Sequence, residues 1–159
     1  MAILDERLEL ADASTAVAAA ASTVNVGDVI DSSVARDVGN GQPIYLVVSV
    51  DTEIITGGSA GTLQFQLVSD GVTTPSTTTQ TIHAISEEYV TDGTDANDAE
   101  LKAGQFPFVI ALPVEGQQYE RYIGLQAIIG TTTITAGAVS AYLTLTPPTT
   151  RKTYADAVN

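Results

Sequence analysis

The charged and imidazole groups on which side-chain catalysis could draw in this 159-residue chain are one histidine, 19 acidic groups and 6 Lys and Arg, and the sequence has no cysteine. His83 stands in Thr79-Gln80-Thr81-Ile82-His83-Ala84. A general base needs a positioned nucleophile and an orienting partner, so a strand histidine with a satisfied hydrogen bond is the plainer reading. One histidine also cannot build the several-histidine metal site of cupin-type enzymes. The densest acidic run is Asp92-Gly93-Thr94-Asp95-Ala96-Asn97-Asp98-Ala99-Glu100. Calcium takes carboxylate and carbonyl oxygens, but an EF-hand loop needs alternating ligands and glycine at its sixth position. Here glycine comes second, and a solvated loop is expected.

Other chemistries have less support. Nothing in the sequence selects a carboxylate pair of the glycosidase kind. Gly57-Gly58-Ser59-Ala60-Gly61 lacks the lysine and the strand-to-helix setting of a phosphate-binding loop. Sugar platforms are thin, with no tryptophan, six tyrosines and three phenylalanines. The expectation is a chain without catalytic residues, bound metal or cofactor.

Gln117-Gln118-Tyr119-Glu120-Arg121-Tyr122 points elsewhere. Tyr and Arg join apolar area to a polar handle and are enriched where proteins meet. The competing reading is that Tyr119 and Tyr122 cover one end of the fold.

The net charge of −13 narrows the partners. Nucleic-acid binding depends on Lys and Arg displacing counterions, and anionic membranes attract polybasic clusters; neither nucleic acid nor membrane is expected. The acidity serves mainly solubility. The opening Met1-Ala2-Ile3-Leu4-Asp5-Glu6-Arg7 carries acids where a secretory signal needs a basic region. The apolar stretch Ala16 to Ala21 is far short of the roughly 20 residues of a membrane span. A soluble protein that stays in the cell making it is expected.

The length suits one domain, and from Val24 onward the chain reads as strands. In Thr62-Leu63-Gln64-Phe65-Gln66-Leu67-Val68, the apolar residues share one face and the glutamines the other, marking a strand with one buried side. Ile44 to Val50, Phe106 to Leu112 and Val139 to Leu145 repeat this alternation, while Val24 to Ile30, Thr79 to Ser86 and Tyr122 to Ile129 carry it more weakly. Gly39-Asn40-Gly41, Asp70-Gly71, Asp92-Gly93 and Glu115-Gly116 supply turns, and Gly57 to Gly61 reads as a hairpin. No helical period is sustained after residue 24. Seven or eight such strands make a sandwich or a barrel; jelly roll, immunoglobulin-like sandwich and small barrel all fit the pattern.

Residues 1–23 differ in character. Leu4, Leu8 and Ala11 have helical spacing, yet Leu8 and Leu10 alternate about Glu9. The segment reads as an N-terminal arm that orders against a partner or the domain, followed by a domain over 24–146. Pro147-Pro148 stops the last strand and begins a tail, 147–159.

Several blocks resemble one family. Ala2-Ile3-Leu4-Asp5-Glu6-Arg7-Leu8-Glu9-Leu10-Ala11-Asp12, Val34-Ala35-Arg36-Asp37-Val38-Gly39-Asn40-Gly41, Pro43-Ile44-Tyr45-Leu46-Val47-Val48, Tyr119-Glu120-Arg121-Tyr122-Ile123-Gly124 and the closing Tyr154-Ala155-Asp156-Ala157-Val158-Asn159 are similar to the Bordetella-phage-type capsid cement proteins. Residues 70 to 105 depart from that pattern. The resemblance implies an all-β jelly-roll sandwich of about eight antiparallel strands on the outer surface of a phage head, bridging copies of the major capsid protein. It also implies no enzymatic activity or cofactor, and self-association as paired copies at local two-folds, with a trimer the other arrangement. On this reading Asp5, Arg7, Leu8, Arg36, Asp37, Tyr119, Arg121 and Tyr154 include lattice or self contacts. The alternative is a β-sandwich recognition module for sugars or receptors, for which the Thr-rich loops speak.

Overall fold

The computed structural model describes residues 6–35, 41–91, 93 and 98–148. Within them the regular structure is β1 (Glu9–Ser14), β2 (Thr23–Asp31), β3 (Tyr45–Thr56), β4 (Gly61–Asp70), β5 (Thr81–Ile85), β6 (Tyr89–Thr91), β7 (Phe108–Ala111), β8 (Tyr122–Gly130) and β9 (Ile134–Thr144), with three short 3₁₀ turns. One sheet has the order β1-β9-β3-β7; the other has β2-β8-β4-β5, with β6 also pairing β4.

The pairing is nested. The first strand pairs with the last, β2 with β8, β3 with β7, and β4 with β5 and β6. All of these pairs are antiparallel, as are β9 with β3 and β8 with β4, which join the nested pairs into sheets. This is one long hairpin of strands rolled over on itself, which is a jelly roll. β5 and β6 share one edge of β4, so they fill a single strand position between them.

The alternation seen in the sequence supplies the interior. Leu46, Val48 and Val50 of β3 and Val139, Ala141 and Leu143 of β9 face Leu63, Phe65 and Leu67 of β4 and Ile123, Leu125, Ala127 and Ile129 of β8, all in one core. Burying each larger side chain contributes about 1.5–3 kcal/mol, and the two faces interdigitate to make the sandwich.

Three expectations are revised. Residues 1–23 are not an arm throughout: β1 lies in the first sheet, and Leu10, Ala11 and Val17 are buried in the core. Bulges hid this strand, because the β1–β9 register slips twice and Ala13 has φ of 44°. Gly27 lets β1 approach β2. It has φ of 70°, and a Cβ there would lie 2.1 Å from the Leu10 carbonyl oxygen.

Gly57 to Ala60 close no hairpin, since β3 and β4 belong to different sheets. Alternating sequence cannot tell a hairpin from a corner between sheets. Third, the glutamine face of β4 is not solvated: Gln66 is buried along with Val68 and with Gln126 of β8. The segment between β4 and β5 lies over that face, with Pro75 buried against it.

The registers give the sandwich two distinct ends. Thr56, Gly61, Thr91, Gly130 and Ile134 mark the first end, where the connections after β1, β3, β6 and β8 lie. Asp31, Tyr45, Asp70, Thr81, Ala111, Tyr122 and Thr144 mark the second. The connections after β2, β4 and β7 leave from this second end, β1 begins there, and the chain departs there after β9.

Candidate functional site

The Tyr-Glu-Arg-Tyr segment enters β8 at the second end and ties four pieces of chain together. Tyr119 turns inward, stacked on the imidazole of His83 with ring centroids 3.8 Å apart and planes 18° from parallel. The Nε2 of His83 lies 2.7 Å from the Ser69 hydroxyl, which also accepts the Glu120 N–H at 3.0 Å. Glu120 accepts a hydrogen bond from Thr81 at 2.8 Å. These contacts join the β7–β8 loop to β4 and β5.

Arg121 points the other way. Its Nε and Nη2 donate to the two oxygens of Asp31 at the end of β2, each at 2.8 Å, and its guanidinium lies 4.8 Å from the ring centre of Tyr122. The backbone repeats the tie, since the Arg121 carbonyl accepts from both the N–H and the hydroxyl of Ser32. The paired guanidinium and the Ser33 N–H hold the Asp31 carboxyl down to about 2, and the carboxylate holds the Arg121 guanidinium above its ordinary value. A planar fork meeting a carboxylate in this way fixes orientation as well as charge.

Burial separates the candidate contact residues. Arg7 and Leu8 are exposed in the 3₁₀ turn (Glu6–Leu8) that leads into β1, and Arg121 is exposed at the start of β8. All three stand at the second end. Tyr119 is only 3 % exposed, so its ring closes the core and the end-covering reading holds for it. Burial pushes its phenol up to about 12. Asp5, Arg36, Asp37 and Tyr154 lie outside the described residues; the strand ends on either side of Arg36 and Asp37, at Asp31 and Tyr45, both stand at the second end.

His83 and Ser69 are held within the packing. Ser69 is fully buried beside His83. Burial lowers the His83 pKa below the usual 6.5, with Glu120 opposing. Most of the acidic run 92–100 lies outside the described residues, and the Asp98 carboxylate accepts the Val90 N–H. Among the described residues no cluster of three His, Asp or Glu is arranged to hold a metal, and no helix is long and apolar enough to cross a membrane.

Sequence reasoning missed the polar patch on the outside of the second sheet. Gln126, fully buried, donates through Nε2 to Asn25 Oδ1 at 2.8 Å and to the Ser76 carbonyl at 2.9 Å. Its Oε1 accepts from Gln66 at 2.7 Å and Gln80 at 3.1 Å. Asn25 donates to the Pro75 carbonyl, and Asp70 accepts the Ser76 N–H. This network pins the β4–β5 connection to the sheet beside a small recess lined in part by Asp28, Val29 and Thr74. Paired glutamines on neighbouring strands, followed by a Pro-Ser segment, were the available signal.

A family model matches this chain over residues 10–143, from the start of β1 to the end of β9. The model is that of Bbp16. The chain belongs to the Bbp16 family. The family is named for a Bordetella phage protein, so the chain is phage-related. No curated protein matches the sequence. The match covers all nine strands and with them the Arg121–Asp31 tie, so Bbp16 membership applies to the whole sandwich rather than to a detached motif.

Proposed function

We propose that this Bbp16-family protein is a capsid cement protein, which binds the outer surface of a phage head and bridges neighbouring major capsid protein subunits. The observation that carries the reading is the gathering of Arg7, Leu8, Arg121, three long connections and both chain exits at one end of a rigid sandwich. Family membership supplies the phage setting.

A cement protein stabilises a shell by binding the assembled lattice and not the dispersed subunits, so its binding free energy adds to that of the shell. A jelly roll with a filled core offers a footprint that does not deform under load. Two elements leaving one end, such as the start of β1 and the chain after β9, can engage adjacent subunits and raise effective concentration at the second contact. On this reading the protein has no enzymatic role and works as paired copies at local two-folds, a trimer being the other arrangement.

Co-sedimentation tests it. Purified protein mixed with expanded heads lacking it should pellet with them to a saturating ratio and raise their melting temperature. Protein left wholly in the supernatant at micromolar concentration would end the proposal.

A further inference from the structure

Large apolar side chains carried by the loops are treated oppositely at the two ends of the sandwich. At the first end Val17 and Leu101 are fully buried. At the second end Leu8, Val34, Val72, Val114 and Leu145 are exposed, from 40 % for Leu8 to 64 % for Val114. The fold does not need these five, because Leu112 and Tyr119 already close the core beneath them. Among the described residues the other exposed large apolar side chains, Ile82, Ile85 and Val109, lie on the edge strands β5 and β7. Isolated exposed apolar residues are ordinary; collection on one rim, with none on the opposite loops, is not.

We infer that the sandwich docks end-on, through this rim, onto a folded protein surface that bears separate apolar sockets with basic groups around them. Four strands about 4.8 Å apart in sheets about 10 Å apart hold the anchor points of the five residues within roughly 15 by 10 Å, the scale of the centre of a protein–protein contact. Each residue sits on a different segment: before β1, after β2, after β4, after β7 and after β9. Single branched side chains on separate loops match separate sockets and not a continuous groove. Asp31, Asp70, Glu115 and Glu120 outnumber Arg7 and Arg121 among the described charges at the same end, and the chain's net charge is −13. That balance selects a basic border and disfavours an anionic membrane.

The chain ends agree with the same geometry. Pro147-Pro148 leave the rim with residues 149–159 still to follow, and β1 is entered from the same side. The first end, where Val17 and Leu101 are buried, then faces away from the partner. The cement reading supplies only the name of that partner, the shell subunits; the rim itself follows from burial.

The absence of cysteine allows a direct test. Val114→Cys and Ser59→Cys place one thiol at each end of the full-length protein, and each is coupled to a bulky maleimide polymer. Circular dichroism and melting first establish that both remain folded. Polymer at position 114 should abolish co-sedimentation with heads, and polymer at 59 should leave it unchanged. The unlabelled double variant Val114→Asp with Leu145→Asp should weaken binding roughly tenfold or more. Blocking from 59 alone, from both sites or from neither would overturn end-on docking while leaving the cement proposal standing. Absence of binding by the unmodified protein would overturn the cement proposal and remove the shell as the partner. A free dimer in sedimentation velocity that Val114→Asp dissolves would assign the rim to a second copy and overturn the inference.

Discussion

The imidazole of His83 lies flat on the ring of Tyr119, 3.8 Å between centroids, with its Nε2 against the buried Ser69 hydroxyl. Burial penalises the imidazolium, so the folded pKa falls below 6.5 although Glu120 opposes the shift. The unfolded chain therefore binds the proton more readily than the folded one. Stability is then full above pH 6.5 and falls as pH drops through 6.5 toward the lower folded value. Melting temperature measured from pH 7.5 to 5 should decline in the native protein, and His83→Gln should remove that part of the decline. Parallel curves for the two proteins would show that this stack does not sense protons.

Leu10 distinguishes a strand from an arm. It is fully buried in β1, whose partner is β9, and its carbonyl lies close against Gly27. Leu10→Ala should cost about 2–5 kcal/mol in urea unfolding of the isolated protein, the range for truncating a core leucine. A residue on an arm ordered only by a partner would show almost no loss in that experiment.

Much of the sandwich was legible from alternation alone. Leu63, Phe65 and Leu67 face the core as their spacing required, and the expected strands over 24–30, 44–50, 79–86, 122–129 and 139–145 each overlap an observed one. What escaped had physical causes. β1 is short, alanine-bearing and bulged, so neither a period of two nor one of 3.6 survives in it. The corner at Gly57 to Ala60 and a hairpin have the same local sequence signature. Gln66 and Gln126 look like solvent residues because glutamine usually is one, and only the β4–β5 connection folding over them makes that face interior. Tyr119 and Arg121 stand two residues apart yet face oppositely, because the two-residue period that begins with β8 at Tyr122 does not extend back into the loop before it.

The Gln126 hub gives a third prediction. Its removal orphans Asn25 Oδ1 and the side-chain amides of Gln66 and Gln80, of which Gln66 is fully buried and the other two half-buried. Leaving buried donors and acceptors unpaired costs about 1–3 kcal/mol for each group. With one of the three groups fully buried and two able to regain water in part, Gln126→Leu, which keeps most of the volume, should destabilise by about 2–4 kcal/mol on that scale. Amide exchange should rise selectively in residues 71–80, while the β3–β9 ladder keeps its protection until global unfolding. Uniform acceleration across both sheets would mean that the network does not act as a local strap.

The pair of Arg121 and Asp31 should behave in the opposite way, mattering for docking and hardly at all for stability. Both side chains are close to half exposed, and exposed ion pairs gain little because water and salt screen them and two long side chains must be ordered. Asp31, held down to about 2, contributes what stability it has above its ordinary carboxylate value and loses it as pH falls from about 3.8 toward 2. Arg121→Ala and Asp31→Asn should thus melt near the native temperature at pH 7, and the small difference should vanish in molar salt. Yet the fork orients the Arg121 backbone and the departure of the β2–β3 connection beside Val34, on the rim assigned to docking. Co-sedimentation with heads should weaken severalfold for Arg121→Ala, more at low salt than at high. Unchanged binding with a large drop in melting temperature would make the pair a structural clasp and remove it from the contact surface.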